Sequence, residues 1–210
     1  YNALWEPGAD WGGAAVTKAL NEFAEIMKYT TMEAASTDWQ GAAKAVVDDK
    51  AAFNIMGDWA YGYFTGSAPT GLGTKLDTDF KYAPSPGTDG TYMWLSDSFT
   101  LPKGAPHRGG ALAWLKEVSS KEGQDLFNPK KGSVPARKDG DKTLYTGYLD
   151  YAFKEWSKPG IKLAGSFWHG VNASKKWHTD IDTAVGLFLQ NKDVGKLQSA
   201  LVSAAENDAE

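Results

Sequence analysis

Ala51-Ala52-Phe53-Asn54-Ile55-Met56-Gly57-Asp58-Trp59 is the stretch from which the fold is best approached. Ala51 to Met56 is a short apolar run, too brief for a helix, and reads as a buried strand that Gly57 ends. Asp58 and Trp59 follow at once. Clefts in α/β proteins are built on such strand-end loops.

Helical spacing surrounds this run. Upstream, Val16, Leu20, Phe23 and Met27 form one apolar stripe, predicting a helix from about Gly13 to Tyr29. Thr37-Asp38-Trp39-Gln40 has capping-box spacing, with Ala42, Ala43, Val46 and Val47 following at core positions. Downstream, Gly66 to Gly90 is rich in Gly, Pro, Ser and Thr and reads as loop. Phe80 to Ala83 and Ser96 to Leu101 are short strand candidates. A helix carries Ala111, Trp114, Leu115 and Val118, and Ser119 with Glu122 opens another to about Phe127. Lys131 to Arg137 reads as extended. Helices follow at about Leu144–Ser157, Ser174–Gln190 and Asp193–Glu206. The expected class is α/β, helix-rich with a short mixed sheet.

Composition narrows the function. The 210 residues are 42% hydrophobic and 23% charged, which suits a folded domain. The net charge is −4 and the basic residues are scattered, which argues against a nucleic-acid partner. With no cysteine, disulfides, thiolate catalysis and cysteine metal sites are excluded. No apolar run approaches the roughly 20 residues that span a bilayer. Phosphate-binding, zinc-protease and serine-hydrolase motifs are missing, and no cofactor is expected. Asp58 and Asp97 are the best candidates for a carboxylate pair, although an Asp beside Gly more simply caps a turn. The chain opens at Tyr1 without a signal-peptide pattern and reads as a piece of a longer protein.

Three stretches in series carry a family resemblance. They are Ala51 to Trp59; Ser96-Asp97-Ser98-Phe99 with Leu101-Pro102-Lys103-Gly104 and the helix bearing Trp114-Leu115; and Gln124-Asp125-Leu126-Phe127-Asn128-Pro129-Lys130-Lys131-Gly132-Ser133-Val134-Pro135-Ala136-Arg137. Together they resemble the extracellular solute-binding proteins that deliver sugars to ABC importers. Pro84-Ser85-Pro86-Gly87-Thr88 and Gly165-Ser166-Phe167-Trp168-His169-Gly170 make the chain most similar to glucose-binding proteins of the Thermus type.

The resemblance implies a periplasmic-binding-protein-like lobe within a two-lobe hinge architecture, and no enzyme activity. Residues 1–97 would be the first part of the C-terminal lobe, 98–137 a segment belonging to the N-terminal lobe, and 138–210 the return to the C-terminal lobe. The implied partners are a monosaccharide such as glucose, the membrane permease of an ABC transporter, and the N-terminal half that walls the other side of the cleft. The implied location is periplasmic or extracellular. The matching ligand positions are Trp39, Trp59, Asp97, Lys131 and His169.

These residue types suit a sugar. Pyranose C–H faces pack on aromatic rings, and the hydroxyl rim needs charged or amide partners. Trp114 and Trp177 fall on apolar stripes and read as core. Trp39 lies off its helix stripe, and Trp59 follows a strand end. The alternatives are a carbohydrate-active enzyme, from the aromatics and carboxylates, and a stand-alone carbohydrate-binding module.

Overall fold

A computed structural model describes residues 1–6, 8–31, 33 and 36–208. Its helices are α1 (Ala14–Ile26), α2 (Trp39–Val47), α3 (Trp59–Thr65), α4 (Arg108–Ser119), α5 (Lys121–Lys131), α6 (Tyr148–Trp156), α7 (Lys175–Asn191) and α8 (Val194–Asp208). Two strands, β1 (Thr91–Trp94) and β2 (Lys162–Gly165), pair in parallel register, with amides of Lys162 and Ser166 donating to Gly90 and Trp94 carbonyls. Among the described residues this pair is the only sheet, so the expected mixed sheet is replaced by a small parallel one.

The chain divides into two compact units. The first comprises Tyr1–Thr37, Met93–Leu95 and Leu163–Glu210, and the second Asp38–Tyr92 and Ser96–Lys162.

The first unit is built on α1, α7 and α8. Trp177, Ile181, Ala184 and Phe188 from α7 interlock with Leu197, Leu201 and Ala204 from α8, and Trp11 joins them. The spacing of these residues is 3 or 4, so each helix presents one continuous apolar face. The predicted α1 stripe is present: Leu20, Phe23 and Met27 pack against that core, and Phe23 meets Phe188 with ring centroids 5.5 Å apart. Ser174 caps α7 by accepting from the Trp177 amide, and Lys192 ends it in the left-handed conformation.

The second unit has a smaller core. Ala43 of α2 and Ala60 and Phe64 of α3 are buried together, with Val46, Val47, Tyr63, Leu72 and Phe80 around them. Phe64 stacks on Phe80 at 4.6 Å. Tyr145, Leu149 and Ala152 are also buried at and within α6.

Several sequence expectations are corrected here. Ala51 to Met56 forms no strand. Phe53 is 90% exposed and Ile55 75%, and no neighbouring strand among the described residues supplies a ladder. Without those hydrogen bonds an apolar run has nothing to fix it as a strand. Ser96 to Leu101 is likewise not a strand; β1 lies five residues earlier. At Phe80 there is only an isolated bridge to Leu76. α5 does not stop at Phe127 but continues through Pro129, so Lys131 ends a helix instead of starting an extended run. Trp114 is 55% exposed and is not core, whereas Trp177 is buried.

Candidate functional site

Trp39, Trp59, Asp97 and Lys131 all belong to the second unit. Trp39 is the first residue of α2, which Asp38 caps by accepting from the Gly41 amide at 2.7 Å. The cap therefore sits one residue beyond the Thr37 that the capping-box spacing suggests. The indole of Trp39 meets the Tyr63 ring edge-on, with centroids 5.3 Å apart. Trp59 is the first residue of α3 and is half-buried.

Lys131 owes its place to a backbone-to-backbone crossing of α3 and α5. A Cβ added at Gly62 would fall within 3.0 Å of the Lys130 and Lys131 carbonyl oxygens. One added at Gly132 would meet the Gly62 amide nitrogen equally closely. Only glycine allows such an approach. Gly132 also adopts φ +88, ending α5 in the left-handed conformation while its amide donates to the Asn128 carbonyl. Buried Asn128 ties the turn further: its amide donates to the Gln124 carbonyl, and its side-chain oxygen accepts from Ser133 at 2.8 Å. The Lys131 ammonium is thereby held in an ion pair with Asp97 and lies 5.9 Å from the Phe127 ring centre.

An open pocket of about 810 Å³ lies on this unit. Trp39, Trp59 and Tyr63 supply aromatic surface; Lys130 and Lys131 supply charge; Gln40, Ser67 and Thr70 supply neutral polar groups. Asp97 joins through its pair with Lys131. Flat rings beside hydroxyl, amide and ammonium groups suit a polar ligand with apolar faces. Another hollow of about 490 Å³, on the exposed side of α1 in the first unit, gathers Lys18, Glu22 and Glu25 but no aromatic ring.

Asp58 occupies the N-cap position of α3, where the simple reading expects a cap. Its side chain makes no N-cap hydrogen bond to α3. Burial raises its carboxyl above the ordinary range, and the nearby Asp97 charge adds to this; Lys131 and the Trp59 amide pull the other way. Burial also pushes the Tyr92 hydroxyl up to about 12 and raises Tyr148, and the Asp58 charge contributes to both.

His169 belongs to the first unit, on the exposed loop after β2. Its Nδ1 shares a 2.8 Å hydrogen bond with the hydroxyl of buried Ser166. The loop is anchored by Tyr1, whose hydroxyl donates to the Gly165 carbonyl and accepts from the Phe167 amide, and by Asn172, which also donates to Gly165. Tyr63 was missed as a site residue. Its spacing of four from Trp59 puts both rings on one side of α3, and that was the available signal. Among the described residues no group of three or more His, Asp or Glu is placed to hold a metal, and no helix is long and apolar enough to cross a membrane.

The described chain is thus helix-rich with a small parallel strand pair, and its second unit carries an open pocket with aromatic lining. The family model for bacterial extracellular solute-binding proteins matches residues 2–125, and the chain belongs to that family. Over 91% of its length it is 32% identical to an "Uncharacterized ABC transporter extracellular-binding protein" of Pyrococcus horikoshii, of which it covers 42%. It is 33% identical, also over 91% of its length, to a xylose/arabinose-binding protein of Haloferax volcanii, of which it covers 41%. A "Probable sugar-binding periplasmic protein" of Rhizobium meliloti is 30% identical over 76% of the chain, which covers 38% of that relative. The chain spans about two fifths of the length of the curated relatives it matches.

Proposed function

We propose that this chain forms part of the sugar cleft in an exported receptor for an ABC importer, and that it performs no catalysis. The observation that carries this reading is the pocket on the second unit, where Trp39, Tyr63 and Trp59 line the same hollow as Lys131. The rings face sugar C–H groups. Lys131 donates to hydroxyls, and Asp97 accepts from them. We assign His169 to the same ligand on the sequence match, with Ser166 orienting its ring. Relatives named for sugar, xylose or arabinose binding support the ligand class. Glucose is the proposed ligand from the resemblance to the Thermus-type proteins, and a pentose is its nearest competitor.

In the proposed mechanism two lobes close around the sugar and exclude water, and the membrane permease receives the closed form. Residues 98–137 are assigned to the N-terminal lobe, with the remainder in the C-terminal one. The exposure of Trp114, Leu126 and Phe127 supports this, because helices α4 and α5 then have an apolar face to bury against the rest of a longer chain.

The test is calorimetric titration of the full-length protein with D-glucose, D-xylose and L-arabinose, repeated with Trp59→Ala. Saturable binding of at least one sugar, weakened tenfold or more in the variant without loss of fold, is the expected result. Unchanged affinity in Trp59→Ala removes the site assignment.

A further inference from the structure

We propose that Gly57 is a positioning residue for the Trp59 indole, setting the angle at which the ring meets the sugar. This inference rests on the reading of Trp59 as a ligand contact. A helical side chain leans toward the N-terminus of its helix, over the residues that precede it. At the first position of α3, Trp59 has only Asp58 and Gly57 behind it. The indole folds back onto Gly57. A Cβ built there would lie within 3.0 Å of three carbons in the six-membered ring of Trp59.

No other group is among the three nearest atoms to the added carbon. Gly57 does not adopt a positive φ, so alanine meets no backbone penalty at this position. The turn is fixed independently: the amides of Ala60 and Tyr61 donate to the carbonyls of Gly57 and Asp58 at 3.1 and 2.9 Å. A methyl group at position 57 therefore leaves the turn in place and forces the indole to rotate. Trp59 lines the pocket, so that rotation moves one aromatic wall of the site. Glycine at 57 serves the ring of residue 59 and not the bend of the chain.

The test is a double-mutant cycle in the full-length protein, comparing Gly57→Ala, Trp59→Phe and the pair. Affinity is read by calorimetry with D-glucose, D-xylose and L-arabinose, and ring position by fluorine NMR of 5-fluorotryptophan-labelled protein. Trp59→Phe identifies the Trp59 resonance by removing it. Gly57→Ala is expected to shift that resonance and weaken sugar binding about tenfold or more. Added to Trp59→Phe, it is expected to cost less than about twofold, because the smaller ring clears the methyl group. An equal loss in both backgrounds, or a Trp59 resonance that does not move, overturns the proposal. If Gly57→Ala fails to fold, a folded double variant supports the proposal and an unfolded one overturns it. If Trp59→Ala binds sugar like the unaltered protein, the site reading fails, while the resonance shift still decides whether Gly57 positions the ring.

Discussion

The Lys131 ammonium at the end of α5 is ion-paired with the Asp97 carboxylate, 34 positions earlier in the chain. Asp97 sits on a loop and is more than half exposed, whereas the Lys131 side chain is more enclosed. Exposed pairs of this kind contribute roughly 0–1 kcal/mol to stability, so the pair is poorly explained as a structural strut. Under the proposed function, the pair presents a donor and an acceptor side by side to the sugar. Lys131→Met and Asp97→Asn in the full-length protein are each expected to weaken sugar binding about tenfold or more, since a charge-assisted hydrogen bond is worth about 1.5–3 kcal/mol. Melting midpoints should move by only a few degrees. Calorimetry alongside thermal melts checks both, and a large stability loss with unchanged affinity would assign the pair to structure.

Asp58 makes stability depend on pH. Burial raises its carboxyl above the ordinary value of 3.8. A raised folded-state value means the contribution is fully present below the unfolded value and is lost as pH rises through the folded one. Asp58→Asn keeps the shape and stays neutral. The variant should match the unaltered protein near pH 3 and melt a few degrees higher at pH 7. Paired thermal melts at the two pH values test this, and a difference of the same size at both would show that desolvation is not the cause.

Among the described residues Phe188 is the largest fully enclosed side chain and is 1% exposed, between α1, α7 and α8. Phe188→Ala removes the transfer energy of the ring and leaves a cavity, a loss of roughly 3–5 kcal/mol. Urea denaturation should show a lower midpoint. The second unit has its own core, built on Ala43, Ala60 and Phe64. Amide exchange should therefore rise in α7 and α8 before it rises in α2 and α3.

How much of this was legible in the sequence follows from what each signal measures. Periodicity located α1, α7 and α8, because an apolar face of a helix must be buried and these helices bury one another. It failed at Trp114, which lies on an apolar stripe yet is exposed: a stripe records a demand for cover without naming what covers it. Ala51 to Met56 failed for the same reason, since apolar composition cannot supply a pairing strand. The caps of α2 and α5 fall at Asp38 and Ser120, one residue beyond the expected Thr37 and Ser119. Adjacent residues with equally good capping side chains are separated only by backbone angles. Pro129 lies beyond the expected end at about Phe127, yet it stands in the last turn of α5. A proline there displaces one hydrogen bond from a helix already ending at Gly132. The pairing of Asp97 with Lys131 and the gathering of Trp39, Trp59 and Tyr63 in one pocket depend on tertiary packing, which spacing along the chain does not encode.

The crossing of α3 and α5 yields the prediction that best separates fold from site. Gly62→Ala places a methyl group against the Lys130 and Lys131 carbonyl oxygens, which are backbone and cannot rotate aside. Over-packing of this type costs roughly 1–3 kcal/mol. The two helices must separate slightly, and Lys131 and Trp59 move apart because each sits within a turn of the contact. The variant should therefore lose both thermal stability and sugar affinity. Phe188→Ala, in contrast, should lose stability while keeping affinity at temperatures where it remains folded. Measuring both variants by melting and by calorimetry decides the matter. If Gly62→Ala is destabilised yet binds sugar with unaltered affinity, the glycine crossing supports the fold alone and the placement of Lys131 does not depend on it.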